Sequence, residues 1–320
     1  MLSFLSGLMR SVAALVVVRA ELLRGLARHP RWAASEAELA DVLRARFAVD
    51  PPSLRRIDAQ TPPGILQQIV RYEAVHAIRG SADLHRRLAA DRRCYALFSA
   101  ALPEQPLVFI ELAFTRGLCG DVSTLLDPRS PVADPAACDC AMFYSISSCH
   151  DGLRGIPFGD TLIRVVVHEL LRELPWLRTF ATVSPVPGFR AWLGEMATRR
   201  GGVLVDIIAA LDATDWALEP GESERLAPAL LPLCAAYLIG AKRGSEPLDP
   251  VARFHLGNGA RLEQINWLGD RSEAGFKRSA GIVANYLYDL PSVDTNRDTY
   301  AATHRVIVAP KIEILAQLAG

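Results

Sequence analysis

The sequence holds 320 residues, half of them hydrophobic, with 35 Lys+Arg balanced against 35 Asp+Glu. That length suits two domains with well-buried cores, and the charge balance excludes an electrostatic footprint for nucleic acid or an anionic membrane surface. The six cysteines form no CxxC pair, so they read as free thiols of a reducing cytoplasm rather than as a disulfide framework.

The chain opens with an apolar, Arg-rich and acid-poor stretch from Met1 to Trp32. Its pattern runs on through Glu21, Leu22, Leu23 and Leu26 without a small-residue cleavage site, which predicts an ordinary helix. Mitochondrial-type targeting is the alternative to the cytoplasmic location expected here. The run from Val12 to Val18 is too short to span a bilayer.

Ser35 followed by Glu38 has capping-box spacing, and Leu39, Val42, Leu43 and Phe47 recur at helical intervals. Further helices are predicted over Thr61–Ile78 and Ala82–Phe98. Residues 1–98 therefore read as an all-helical domain and residues 99–320 as a mixed α/β (α+β) domain. In the latter, strand-like runs occupy Leu107–Phe114, Cys140–Ser147 and Arg178–Val183. Between the last two, Leu162, Ile163, Val166, Leu170 and Leu174 mark one helical face, so the order is that of a βαβ unit. An apolar helix over Arg225–Arg243 and strands within Leu262–Leu268 and Ala280–Leu290 complete the pattern.

Four places stand out chemically. The turn Ser147–Asp160 is glycine-rich and feeds a helix N-terminus, an arrangement that suits a pyrophosphate. Its "RGIPFG" matches the R-x-x-G-x-G turn of GNAT-type acyltransferases except that Pro157, which has no N–H, replaces the middle glycine. A plain strand-to-helix turn is the other reading. His255 leaves a short helical pattern into Gly257-Asn258-Gly259, where it either titrates near neutrality or serves as a cap or core residue. Strand alternation puts Tyr286 and Tyr288 on one face with Ala284, a placement also common in packing. Ser184 follows a strand-like run and precedes Pro185 and Pro187; it sits where βα loops carry function, or caps the next helix. The seven histidines show no spacing that points to a metal site.

Taken together, the blocks "FYSIS…GLRG…FGDTLI", "FATVSPVPGFRAWL", "DPVARFHLGNGARLEQINWLGDRS" and "GIVANYLY" resemble the malonyl-CoA decarboxylase family. A weaker likeness begins at Leu54 with "LRRIDAQTPPGILQQIV". The resemblance implies a helical domain used in self-association and a GNAT-like domain that binds the acyl-CoA. It implies conversion of malonyl-CoA to acetyl-CoA and carbon dioxide, with Ser184, His255 and Tyr288 as catalytic candidates. Ser145, Ser147, Arg154, Gly155, Gly159 and Asn285 follow as substrate-binding candidates. The thioester is itself the electron sink, so no cofactor or metal is expected. Malonyl-CoA and further copies of the chain, through the helical domain, are the expected partners. The resemblance leads to three expected departures: most of the family's helical domain is expected to be missing, Pro157 stands where relatives commonly carry an acidic or small polar residue, and "SSCH" at Ser147–His150 is unlike the family's usual polar turn. An acyl-CoA-dependent acyltransferase and a non-catalytic acyl-CoA-binding protein are the alternatives.

Overall fold

The computed structural model describes residues 11–213, 216, 217 and 219–319. In chain order the first elements are α1 (Val12–Gly25), α2 (Ala33–Val49), β1 (Ser53–Ile57), α3 (Pro63–Tyr72), α4 (Gly80–Arg87), β2 (Arg92–Ser99) and β3 (Leu102–Thr115). Next come α5 (Val122–Leu126), β4 (Cys140–Ser148), α6 (Phe158–Glu173), β5 (Thr179–Thr182), β6 (Ser184–Pro185), α7 (Phe189–Arg200), α8 (Val203–Asp212) and α9 (Pro220–Gly240). The chain continues with β7 (Lys242–Arg243), β8 (Glu246–Pro247), α10 (Pro250–Gly257), β9 (Arg261–Asn266) and α11 (Glu273–Ser279). It finishes with β10 (Val283–Leu287), α12 (Val293–Thr303) and α13 (Pro310–Gln317). Contacts divide it into two units: the described residues up to Ala113 with Pro131–Ala136 and Ser145–Trp176, and Phe114–Ser130, Ala137–Tyr144 and the described residues from Leu177 onward.

In the first unit, Ser11 starts α1 by accepting a hydrogen bond from Ala14 N. The expected N-terminal helix is present from Val12; the part of that reading on residues 1–10 lies outside the described residues. Helix α2 begins at Ala33, before the capping box, because a 3-10 turn over Pro30–Trp32 runs directly into it. Strands β1, β2 and β3 pair antiparallel, with Ile57 opposite Cys94 and Cys94 opposite Glu111.

The helix predicted over Ala82–Phe98 is instead α4 followed by β2. All eight residues of β2 are buried, and pairing on both edges with β1 and β3 overrides the helical propensity of the segment. The first 98 residues are therefore not all helical, since β1 and β2 lie within them. Helix α3 packs Ile65, Leu66 and the buried Ile69 against a core of Ile57, Cys94, Ala96, Phe98, Phe109 and Cys149.

Two buried anchors fix this unit. Arg87 donates to Asp83, Glu111 and the His76 carbonyl, each at 2.8 Å. Arg19 of α1 donates to Glu36 at 2.6 Å, and at 2.7 Å to each of the Gly152 and Arg154 carbonyls. Gly152 lies so close to α1 that a Cβ would sit 1.9 Å from the Val16 carbonyl oxygen. Gly152→Ala is expected to push α1 off the turn and lower stability by about 1–3 kcal/mol, read as the shift of a urea midpoint.

In the second unit, β4 pairs in parallel with β5, as the strand–helix–strand order predicts. Strand β10 is central, antiparallel to β5 and β6 along one edge and to β9 along the other. A register shift between Asn285 and Tyr286 bends it. The sheet is thus mixed, as expected for the α/β class. Phe143, Phe180, Val183, Phe189 and Tyr286 fill its core. All six cysteines are free. Among the described residues no helix is long and apolar enough to cross a membrane.

Candidate active site

The register of β10 against β5 and β6 sets Ser184 opposite Ala284 and continues to Ala181 opposite Leu287. Ser184 is therefore a strand residue. It does not cap α7, which starts five residues later behind Gly188. Prolines suit this edge, since Pro185 has no N–H to contribute to a ladder.

His255 arrives from α10. Asp249 caps that helix, its carboxylate accepting from Val251 N and Ala252 N at 2.9 Å each, with Pro250 in the first turn. The same carboxylate accepts from Gly188 N and from the Tyr237 hydroxyl, which ties the start of α10 to the end of the Ser184–Gly188 segment. Burial pushes the Asp249 carboxyl up from its ordinary range, and the backbone donors pull it partly back.

The imidazole of His255 is 4 % exposed. Its Nε2 lies 3.0 Å from Ser184 Oγ and its Nδ1 lies 2.8 Å from the Tyr288 hydroxyl. Tyr286 stacks on the ring with centroids 4.7 Å apart, so both tyrosines serve the face that strand alternation assigns them. Ser184 Oγ also donates to Thr182 Oγ1 at 2.8 Å, and Thr182 Oγ1 accepts from Tyr286 N at 3.1 Å. The result is a line of hydrogen bonds from Tyr288 through His255 and Ser184 to Thr182.

Burial pushes the His255 pKa down to about 3, so the ring is neutral at physiological pH and meets its neighbours through neutral hydrogen bonds. Unfolded, the ring takes up a proton as pH falls through about 6.5; folded, it resists until about pH 3. Stability is therefore lost on acidification across that window. The expected loss between pH 7 and pH 5 from this group is about 2 kcal/mol. Urea unfolding at the two pH values should show it in the parent and show it reduced by that amount in His255→Asn.

The remaining candidates are placed differently. Asn285 is fully buried and its amide is committed: Nδ2 donates to the Cys119 and Thr182 carbonyls, and Oδ1 accepts from Asn266. It works as a strut for the strand carrying Thr182. Ser145 and Ser147 belong to the first unit, where Glu73 Oε2 accepts from Ser145 at 2.6 Å and from Ser147 at 3.4 Å. Glu73 Oε1 accepts from Val75 N and His76 N, so the serines fix the chain that leaves α3.

The glycine-rich turn, also in the first unit, spends much of its backbone on itself. Leu153 N, Arg154 N, Ile156 N and Phe158 N donate to His150, Asp151, Leu153 and Ile156 carbonyls. Pro157 supplies no N–H, as the sequence already shows, and with these four amides closed on the turn fewer donors are left for a phosphate than composition suggests. Gly155 has φ +76°, a left-handed conformation that favours glycine. The Arg154 side chain is exposed beside it.

Thr182, Asp249 and Glu73 do not stand out in the sequence as site residues. Thr182 is two residues before Ser184 on a strand-like run, so period-two alternation is the signal that could have found it. Asp249 before Pro250 is a helix-start signature. Nothing in the sequence around Glu73 marks its two serine partners.

A mixed α/β protein with a buried serine–histidine–tyrosine line at the edge of its central strand is the class that fold and site define. Residues 52–319 match the family described as malonyl-CoA decarboxylase C-terminal domain, and the chain belongs to that family. It is 34% identical to the mitochondrial malonyl-CoA decarboxylase of Anser anser anser over 93% of this chain, and spans 65% of that relative's length. It is similar to the crystal structure of malonyl-CoA decarboxylase from Rhodopseudomonas palustris (40% identity, TM-score 0.88, 94% of this chain and 75% of that one). The Agrobacterium vitis structure compares similarly (40% identity, TM-score 0.89, 95% and 76%).

Proposed function

We propose that this chain decarboxylates malonyl-CoA to acetyl-CoA and carbon dioxide. The observation that carries the reading is the neutral, buried His255 held between Ser184 and Tyr288, in a chain whose relatives bear that name. In the reaction the bond between the carboxylate carbon and the α-carbon breaks, and its electron pair delocalises onto the thioester oxygen as an enolate. The α-carbon then takes up one proton. The thioester accepts the electrons, so the proposal requires no cofactor. The protein must supply orientation, a hydrogen bond to the malonyl carboxylate, and a proton.

Ser184 suits the hydrogen bond to the carboxylate, because its hydroxyl can swing there from Thr182 while His255 donates to its oxygen. Tyr288, bonded to the far side of the ring, replenishes the proton that the line gives to the carbanion. Asn285 acts by holding the strand of Thr182. Arg154, Gly155 and Gly159 are proposed to meet a phosphate of coenzyme A, whereas Ser145 and Ser147 are committed to Glu73. Self-association through α1 and α2 belongs to the same proposal and is tested by light scattering. Malonyl-CoA supplied as the only substrate should yield acetyl-CoA. Dependence on an amine or carrier-thiol acceptor would replace the reading with acyl transfer, and binding without turnover would replace it with a carrier role.

A further inference from the structure

Which ring nitrogen of His255 carries the proton is decided by counting hydrogens along the buried line. Ser184 has a single hydroxyl hydrogen, and the geometry makes it the donor to Thr182 Oγ1. Its contact with His255 Nε2 at 3.0 Å must then be one in which Ser184 Oγ accepts. Two bare lone pairs at that distance would repel, so Nε2 bears the hydrogen. A neutral imidazole has one N–H, which leaves Nδ1 bare to accept from the Tyr288 hydroxyl at 2.8 Å.

Thr182 is the group on which this order ends. It is 1 % exposed, and one lone pair of its Oγ1 takes the Tyr286 N–H at 3.1 Å. The second takes the Ser184 hydrogen. Tyr286 anchors both ends of the arrangement, holding Thr182 by its backbone and His255 by its stacked ring. The amide of Asn285 donates to the Thr182 carbonyl and fixes the same residue from its backbone side.

We propose that Thr182 is a positioning residue that sets the tautomer of His255. By taking the Ser184 hydrogen at rest, it obliges the ring to carry its proton on Nε2, with every donor in the line pointing from Tyr288 toward Ser184. Thr182 thus occupies the acceptor place that a substrate carboxylate takes over. The functional half of this inference rests on the decarboxylation reading above; the tautomer half stands without it. If Thr182 loses its hydroxyl, Ser184 has Nε2 as its nearest buried acceptor, and the ring proton shifts to Nδ1.

The test uses the whole chain labelled with 15N in its histidine rings, with His255 assigned by loss of its signals in His255→Asn. In the parent, the Nε2 of His255 should be the protonated nitrogen and Nδ1 the bare one. Thr182→Ser should preserve that pattern, and Thr182→Val should reverse or mix it. With malonyl-CoA, Thr182→Val should lose about 10- to 100-fold in kcat at little change in KM, while Thr182→Ser stays close to the parent. A parent protonated on Nδ1 would overturn the proposal whether or not the valine variant folds, as would a folded Thr182→Val that keeps the parent tautomer. A parent with the expected tautomer but no release of carbon dioxide leaves Thr182 as the tautomer-setting residue and removes the decarboxylase reading instead.

Discussion

Ser184→Ala and His255→Asn are each expected to lower kcat on malonyl-CoA by about 10²- to 10⁴-fold. Both truncations interrupt the same line: alanine removes the hydroxyl proposed to meet the carboxylate, and asparagine removes the ring that links Ser184 to Tyr288. Because the two act as a unit, the double variant should be little worse than either single one. The fold should survive Ser184→Ala, since Ser184 pairs with Ala284 through its backbone. That variant leaves the His255 Nε2–H without its acceptor in a site only 4 % exposed, a stability cost of about 1–3 kcal/mol. Steady-state kinetics with malonyl-CoA, checked by circular dichroism, measure both parts. Turnover within a fewfold of the parent in a folded Ser184→Ala chain would remove the serine from the mechanism.

The largest expected stability effect lies elsewhere, at Arg87. Its guanidinium is buried and meets two carboxylates and a carbonyl. Glu111, on β3, is itself only 1 % exposed. Burial pushes the Glu111 carboxyl up, to about 8, and Arg87 is the chief group pulling it back toward the ionised form. Arg87→Met removes the cation and leaves Asp83 and Glu111 in the interior with their charge or hydrogens uncompensated. The expected cost is about 3–5 kcal/mol in urea unfolding, because breaking one partner out of a buried pair is far costlier than losing an exposed one. Arg87→Lys should recover only part of it, since an ammonium lacks the fork that reaches Asp83, Glu111 and His76 together. A loss under about 1 kcal/mol in Arg87→Met, the scale of an exposed pair, would show that water or a neighbouring cation takes its place.

The residues proposed to carry the chemistry are legible in the sequence for particular reasons. Ser184 is marked by its prolines, His255 by the Gly257-Asn258-Gly259 turn, and Tyr286 and Tyr288 by alternation. Each of these signals is local. What brings the residues together is not. The approach of Ser184 to His255 depends on β10 accepting both β5 and β6, and on Asp249 tying α10 to Gly188. Neither is encoded in spacing. Strands β1 and β2 escape a sequence reading because "SLRRI" and "RRCYALFS" lack clean alternation, and their burial is settled by partners distant in sequence. The glycine-rich turn shows the opposite failure: its composition suggests a cradle of free N–H groups, whereas the folded turn closes many of them on its own carbonyls.

If this chain breaks the carboxylate bond of malonyl-CoA and protonates the resulting carbanion with its own groups, solvent hydrogen must appear in the product. The purified chain is given malonyl-CoA alone in D₂O, and carbon dioxide and the mass of the acetyl-CoA formed are quantified together. Carbon dioxide and singly deuterated acetyl-CoA are expected in equal amounts, with both lost together in Ser184→Ala. Malonyl-CoA recovered intact, or carbon dioxide released at an unchanged rate by the Ser184→Ala chain, would contradict that chemistry.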